Sequence, residues 1–145
     1  MKVVARNRRA RFDFEITETV EAGLMLTGPE AKSCRMGHVN LAGAYVSFFG
    51  GKAHLKNTKI APYAFSRNVP HEEMRDRQLL LSAAESARLQ KALEEKGISV
   101  VPLEVRADKY IKVLLGLGRG RKRIDKRQRI KEREMGRNLR EGREI

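Results

Sequence analysis

In FDFEITET, Phe12, Phe14 and Ile16 alternate with Asp13, Glu15 and Thr17, the period-2 pattern of a strand with one buried face. Most apolar positions between Phe12 and Leu117 follow the same rule. AGLMLT predicts a second strand, and GAYVSFF with KAHLK predicts a hairpin turning at Gly50 and Gly51. RQLLLS, ISVVPLEV and YIKVLLGL predict three more, the last two joined across Arg106, Ala107 and Asp108. Two helices interrupt these strands. Ser82 and Glu85 form an S-x-x-E capping box before a helix that runs to Lys96, where Gly97 stops it and Leu93 and Ile98 take the touching positions of a Schellman motif. Thr27 and Glu30 repeat the box as T-x-x-E, Pro29 suits a first turn, and Gly37 ends the helix after about two turns. Many short strands with a small helix between them predict a mainly β fold, specifically an OB-like closed antiparallel β-barrel, because closure removes exposed edges.

Composition adds a second part to this picture. The chain has 145 residues and a formal charge of +13. Residues 119–145 carry 12 Lys/Arg against 5 Asp/Glu, leaving 19 against 13 on residues 1–118, so more than half the excess lies on the last segment. The expected division is therefore a barrel, 1–118, and a basic tail, 119–145. The glycines of GLGRG lack the ending of a phosphate-binding loop and read as a hinge between the two. In the tail, Arg123 with Arg127 and Arg127 with Lys131 are like-charge pairs at i, i+4, and Ile124, Ile130, Met135 and Leu139 offer little to bury. Such a tail is expected to be disordered alone and helical once phosphates neutralise it.

A surplus of this size points to a polyanion, nucleic acid before an acidic membrane surface. No apolar run has the length of a membrane span or a signal peptide, and a lone cysteine, Cys34, agrees with a reducing compartment, so a cytoplasmic protein is expected. Lys32, Arg35 and Met36 share one face of the short helix, while Ala31 and Cys34 face the core. Arg6, Arg8, Arg9 and Arg11 crowd the N-terminus, and Lys109 and Lys112 punctuate a late strand, so one fold can gather them into a phosphate-binding surface. His38, His54 and His71 show no metal-ligand spacing, and Cys34 near His38 reads as a core thiol. Neither an enzyme nor a cofactor or metal site is expected. A structural ribosomal protein with a basic extension and an RNA-processing enzyme are the rival readings; the second lacks a carboxylate cluster or a histidine pair.

The ordered set NRRARFDFEI, EAGLMLTGPEAKSCRMGHVNL, QLLLS, VVPL and GLGRGRKRIDKRQRIKERE resembles the SmpB family of SsrA-binding proteins, over about Asn7 to Glu134. The resemblance implies an OB-like barrel that grips the tRNA-like domain of transfer-messenger RNA. It also implies a tail that enters the vacant decoding site and mRNA channel of a stalled ribosome in bacterial trans-translation. Asn7, Glu21, Leu80 and Lys112 match barrel positions tied to RNA binding, and Arg9, Arg11, Lys32, Ser33, Arg35 and Asn40 join them as expected contacts. Glu21 would hydrogen-bond a base edge or position a basic neighbour, and Leu80 is either a contact or core. Gly120, Asp125, Lys126 and Arg127 match the ribosome-directed tail motif, accompanied by Lys122, Ile124, Ile130 and Lys131. Three departures stand out. Ala31 and Cys34 replace a larger apolar pair, Ile124 stands where the family carries His or Tyr, and Met135 replaces an aromatic of some members.

Overall fold

The computed structural model describes residues 2–64 and 72–120. The tail residues Lys122, Ile124, Asp125, Lys126, Arg127, Ile130 and Lys131, like His71, lie outside the described residues. The elements in order are β1 (Lys2–Arg6), α1 (Ala10–Asp13), β2 (Phe14–Leu24), α2 (Gly28–Arg35), β3 (Val39–Asn40), β4 (Tyr45–Phe49), β5 (Lys52–Lys56), β6 (Lys59–Ile60), β7 (Arg77–Leu80), α3 (Ala83–Leu93), β8 (Ile98–Ala107) and β9 (Ile111–Gly120). Seven strands form one antiparallel sheet in the order β1-β8-β9-β2-β7-β5-β4, and β3 pairs with β6 in a small second ladder.

The fold is mainly β with small helices, as the alternation predicts, but the expected closed barrel is not found. Among the described residues no hydrogen-bonded ladder joins the two edges of the large sheet, β1 and β4. β4 nonetheless lies against β8. Two features of β8 oppose closure: β1 occupies its edge from Glu104 to Ala107, and Pro102, beside a register shift, has no N–H to give a further strand. The inner faces enclose one core that includes Val20, Leu41, Leu55, Ile60, Leu89, Val105, Val113 and Leu115.

The two strands expected before α2 form the single long β2, with a register shift between Ile16 and Glu18. Phe12 does not begin it; Ala10 and Phe12 are buried from the short turn of α1. The glycines of GLGRG are not a hinge. Gly116 and Gly118 lie inside β9, Gly118 pairing with Ile16 on one side and Ser99 on the other. Glycine is required at 118 because a Cβ there would collide with the Glu15 carbonyl, and one at Gly116 would press on the Leu103 side chain at 3.0 Å. Gly120, expected in the tail, is the last residue of β9 and pairs with Phe14. α3 ends at Leu93 rather than Lys96, and Gly97 takes the left-handed backbone, φ 86°, in the turn that follows. Its box is half built: Ser82 Oγ accepts from the Glu85 amide at 3.2 Å, while the Ser82 hydroxyl, not its backbone amide, donates to the Glu85 carboxylate at 3.0 Å.

Candidate nucleic-acid interface

Position Glu30 governs how α2 is held. Its backbone amide donates to Thr27 Oγ1 at 3.3 Å and its carboxylate accepts from the Thr27 amide at 3.0 Å, completing the predicted box. The same carboxylate is 2% exposed and accepts from two guanidinium groups, Arg75 at 2.6 Å and Arg77 at 2.9 and 2.6 Å. Arg77 is fully buried and also donates to the carbonyls of Thr58 at 2.5 Å and Glu73 at 3.1 Å. Burial raises the Glu30 pKa, but the hydrogen bonds from Arg75, the Thr27 amide and Arg77 outweigh it and bring the value from 4.5 to about 2. An ion pair made by the sheet thus fixes the helix that carries Lys32 and Arg35. Cys34, behind it, is buried, and burial lifts its thiol to about 12 against the pull of the Arg77 charge, so it stays neutral.

On the outer side of α2 lies a groove of about 390 Å³, lined by Gly23, Leu26, Arg35, Leu80, Tyr110 and Lys112 among others. The Arg35 guanidinium donates to the carbonyls of Asp108 at 2.6 Å and Lys109 at 3.0 Å, tying the helix to the β8–β9 turn. That tie sets Tyr110 on the rim, 65% exposed, with Lys109 Nζ 5.8 Å from its ring centre. Leu80 is 53% exposed and rests on Gly23, so it is a surface residue and not core. Lys112 pairs with Glu21 at 3.3 Å; the other Glu21 oxygen takes Arg106 at 3.3 Å, and Arg106 also holds Glu104 at 3.0 Å. Hydrogen bonding to Glu104, against a small cost of burial, raises the Arg106 pKa. Glu21 is therefore placed to position basic neighbours.

Glu104 leads to the second basic cluster, where Arg6, Arg8 and Arg11 surround a cleft with Asn7 and Leu103. Asn7 itself is a staple: its side-chain amide donates to the carbonyls of Pro102 at 2.9 Å and Leu41 at 3.3 Å. Arg9 diverges from the others. It lies over the Phe12 ring at 4.5 Å, pairs with Asp13 at 3.5 Å, and lines a different cleft with Tyr45. Lys32 faces the Tyr63 ring at 5.3 Å, and Asn40 closes a local turn by accepting from the Ala42 amide at 2.9 Å. Ser33 corrects one expectation. It sits beside Cys34 on the inner face, fully buried, and cannot touch a ligand on the outer face. Sequence reasoning misses Tyr110, Arg106 and the Glu30–Arg77 pair; only Tyr110, beside two punctuating lysines, leaves a signal in the sequence.

Fold and groove define a small antiparallel β protein whose basic and apolar groups converge on one outer surface. The chain belongs to the SmpB family, whose profile, described as SmpB protein, matches residues 4–144. It is similar to the SsrA-binding protein of Lactobacillus helveticus (strain DPC 4571), 47% identical over 139 residues, covering 95% of this chain and 91% of the relative. The SsrA-binding protein of Synechococcus sp. (strain JA-3-3Ab) is 47% identical over 141 residues, covering 96% and 92%. A chain from the structure described as "tmRNA-SmpB: a journey to the center of the bacterial ribosome" superposes with a TM-score of 0.69 at 42% identity, covering 86% of this chain and 92% of that one.

Proposed function

We infer that the protein binds the tRNA-like domain of transfer-messenger RNA and delivers it to stalled ribosomes for trans-translation. The observation that carries this reading is family membership over nearly the whole chain, joined to a groove whose rim places Arg35, Lys109 and Lys112 around Leu80 and Tyr110. Cations on such a rim meet phosphates, while the apolar floor meets sugars or base faces. Arg6, Arg8 and Arg11 extend the charge, and Glu21 aims Lys112 and Arg106. Asn7 holds this surface together and Arg35 both ties it and faces the groove, with Lys32, Arg9 and Asn40 at its margins. The sheet curls as an open, OB-like half-barrel, with β4 lying against β8 and no ladder among the described residues closing it. The role is binding without catalysis, in the cytoplasm where ribosomes work, and among the described residues no helix is long and apolar enough to cross a membrane.

The tail from residue 121 serves the second step, with Lys122, Asp125, Lys126, Arg127 and Lys131 meeting the vacant decoding site and mRNA channel, and Ile124 and Ile130 packing on ribosomal bases. Truncation belongs after Gly120, because Gly118 and Gly120 are ladder residues. The shortened chain is expected to keep most of its affinity for transfer-messenger RNA and to lose peptide tagging of a nonstop message in a reconstituted translation system. Normal tagging without the tail would defeat the two-step reading. Stoichiometric co-purification with all ribosomes, in place of one RNA with a tRNA-like end, would favour a structural ribosomal protein.

A further inference from the structure

The outward face of the sheet continues past the groove. Lys112 pairs with Gly23 and Gly23 with Leu80; two residues back on β7, Gln78 pairs with His54 of β5, which pairs with Ser47 of β4. Side chains alternate along each strand, so Lys52, His54 and Lys56 on β5 and Tyr45, Ser47 and Phe49 on β4 share the groove's side. Val46, Ala53 and Leu55 are buried on the other side, as this parity requires. Phe49 is 79% exposed and Tyr45 42%. Two exposed aromatic rings on an edge hairpin bury nothing in the core.

The charge of this hairpin has one sign. Between Glu30 and Glu72 the sequence contains no Asp or Glu. The register sets Phe49 opposite Lys52 and Tyr45 opposite Lys56. Asp76 draws Lys56 to 3.5 Å, whereas Lys52 has no ion-pair partner among the described residues. Aromatic rings interleaved with lysines match the needs of unpaired RNA, whose bases offer π-faces and whose backbone offers phosphates. A duplex keeps its bases stacked on one another and has little use for exposed rings. Along the curved outer surface β9 and β4 are four strand spacings apart, roughly 19 Å of arc, a span that one RNA strand leaving the groove covers.

We propose that the outward face of the β4–β5 hairpin is a second RNA contact that takes unpaired nucleotides, with Phe49 and Tyr45 stacking on bases and Lys52 and Lys56 meeting phosphates. It rests on the RNA-binding function inferred above. The chain has no tryptophan, so Phe49→Trp places a single indole fluorophore at the hairpin tip. The full-length variant is titrated with an unlabelled twelve-nucleotide oligouridylate and with an RNA duplex of equal length, while a labelled copy of each RNA reports total binding by anisotropy. The expected result is saturable quenching of the indole emission by the single strand, at least twofold weaker quenching by the duplex, and a tenfold weaker single-strand response once Lys52→Ala and Tyr45→Ala are added. Anisotropy that rises while the indole emission stays constant, or equal quenching by both RNAs, overturns the hairpin contact and leaves the function intact. Flat anisotropy overturns both. An emission shift that depends on protein concentration without RNA would assign the face to a second copy of the chain and also overturn the proposal. Phe49→Tyr is expected to bind as the parent does, which excludes a purely structural effect of changing the residue.

Discussion

Two carboxylates in this molecule each hold two basic side chains, and they do opposite work. Glu30 is buried and meets the buried Arg77 and the half-exposed Arg75, while Glu21 meets Arg106 and Lys112 at a half-exposed surface. Removing one partner from a buried pair strands a charge in low dielectric; removing one from an exposed pair leaves the other to solvent. The first cluster therefore fixes α2 against the sheet, and the second fixes only the direction in which two cations point.

The contrast predicts a graded series. Glu30→Gln leaves Arg77 buried without its counter-charge and is expected to cost about 3–5 kcal/mol, read as a lowered denaturation midpoint. Titration of the parent protein follows from the same pair. Because the folded pKa of Glu30 is depressed from 4.5 to about 2, its stabilisation is present above pH 4.5 and is lost as pH falls toward 2, a loss that Glu30→Gln should abolish. Glu21→Gln is expected to change stability by less than about 1 kcal/mol, and to alter the salt dependence of RNA binding by freeing Lys112 and leaving Arg106 to Glu104 alone. Leu80→Ala is expected to leave the midpoint within about 0.5 kcal/mol, since the side chain is half exposed, while weakening RNA binding. Equal stability losses at Glu30 and Glu21 would erase the distinction.

The outward strands and both helix starts are legible in the sequence because each is a local pattern: alternation in β2, a double glycine between β4 and β5, a threonine three residues before Glu30. Long-range pairings are hidden. Nothing near Glu30 announces Arg75 or Arg77, which lie 45 and 47 residues away. Ser33 reads with its charged neighbours, yet one helical step turns it inward beside Cys34. The glycines at 116 and 118 advertise freedom, but the chain uses them for close approach between strands, a distinction that only the neighbouring backbone of Glu15 reveals. β1 escapes notice because Lys2–Arg6 is short and begins and ends on a basic residue, and its partner on β8 is about a hundred residues distant.

The most direct test of the outer groove as the site of RNA capture is the affinity of Leu80→Ala with Lys112→Ala for the tRNA-like domain of transfer-messenger RNA, measured beside the denaturation midpoint. The expected result is a loss on the order of tenfold to a hundredfold in affinity, with a shallower salt dependence and an unchanged midpoint. Parent-like affinity in the folded double variant would contradict it.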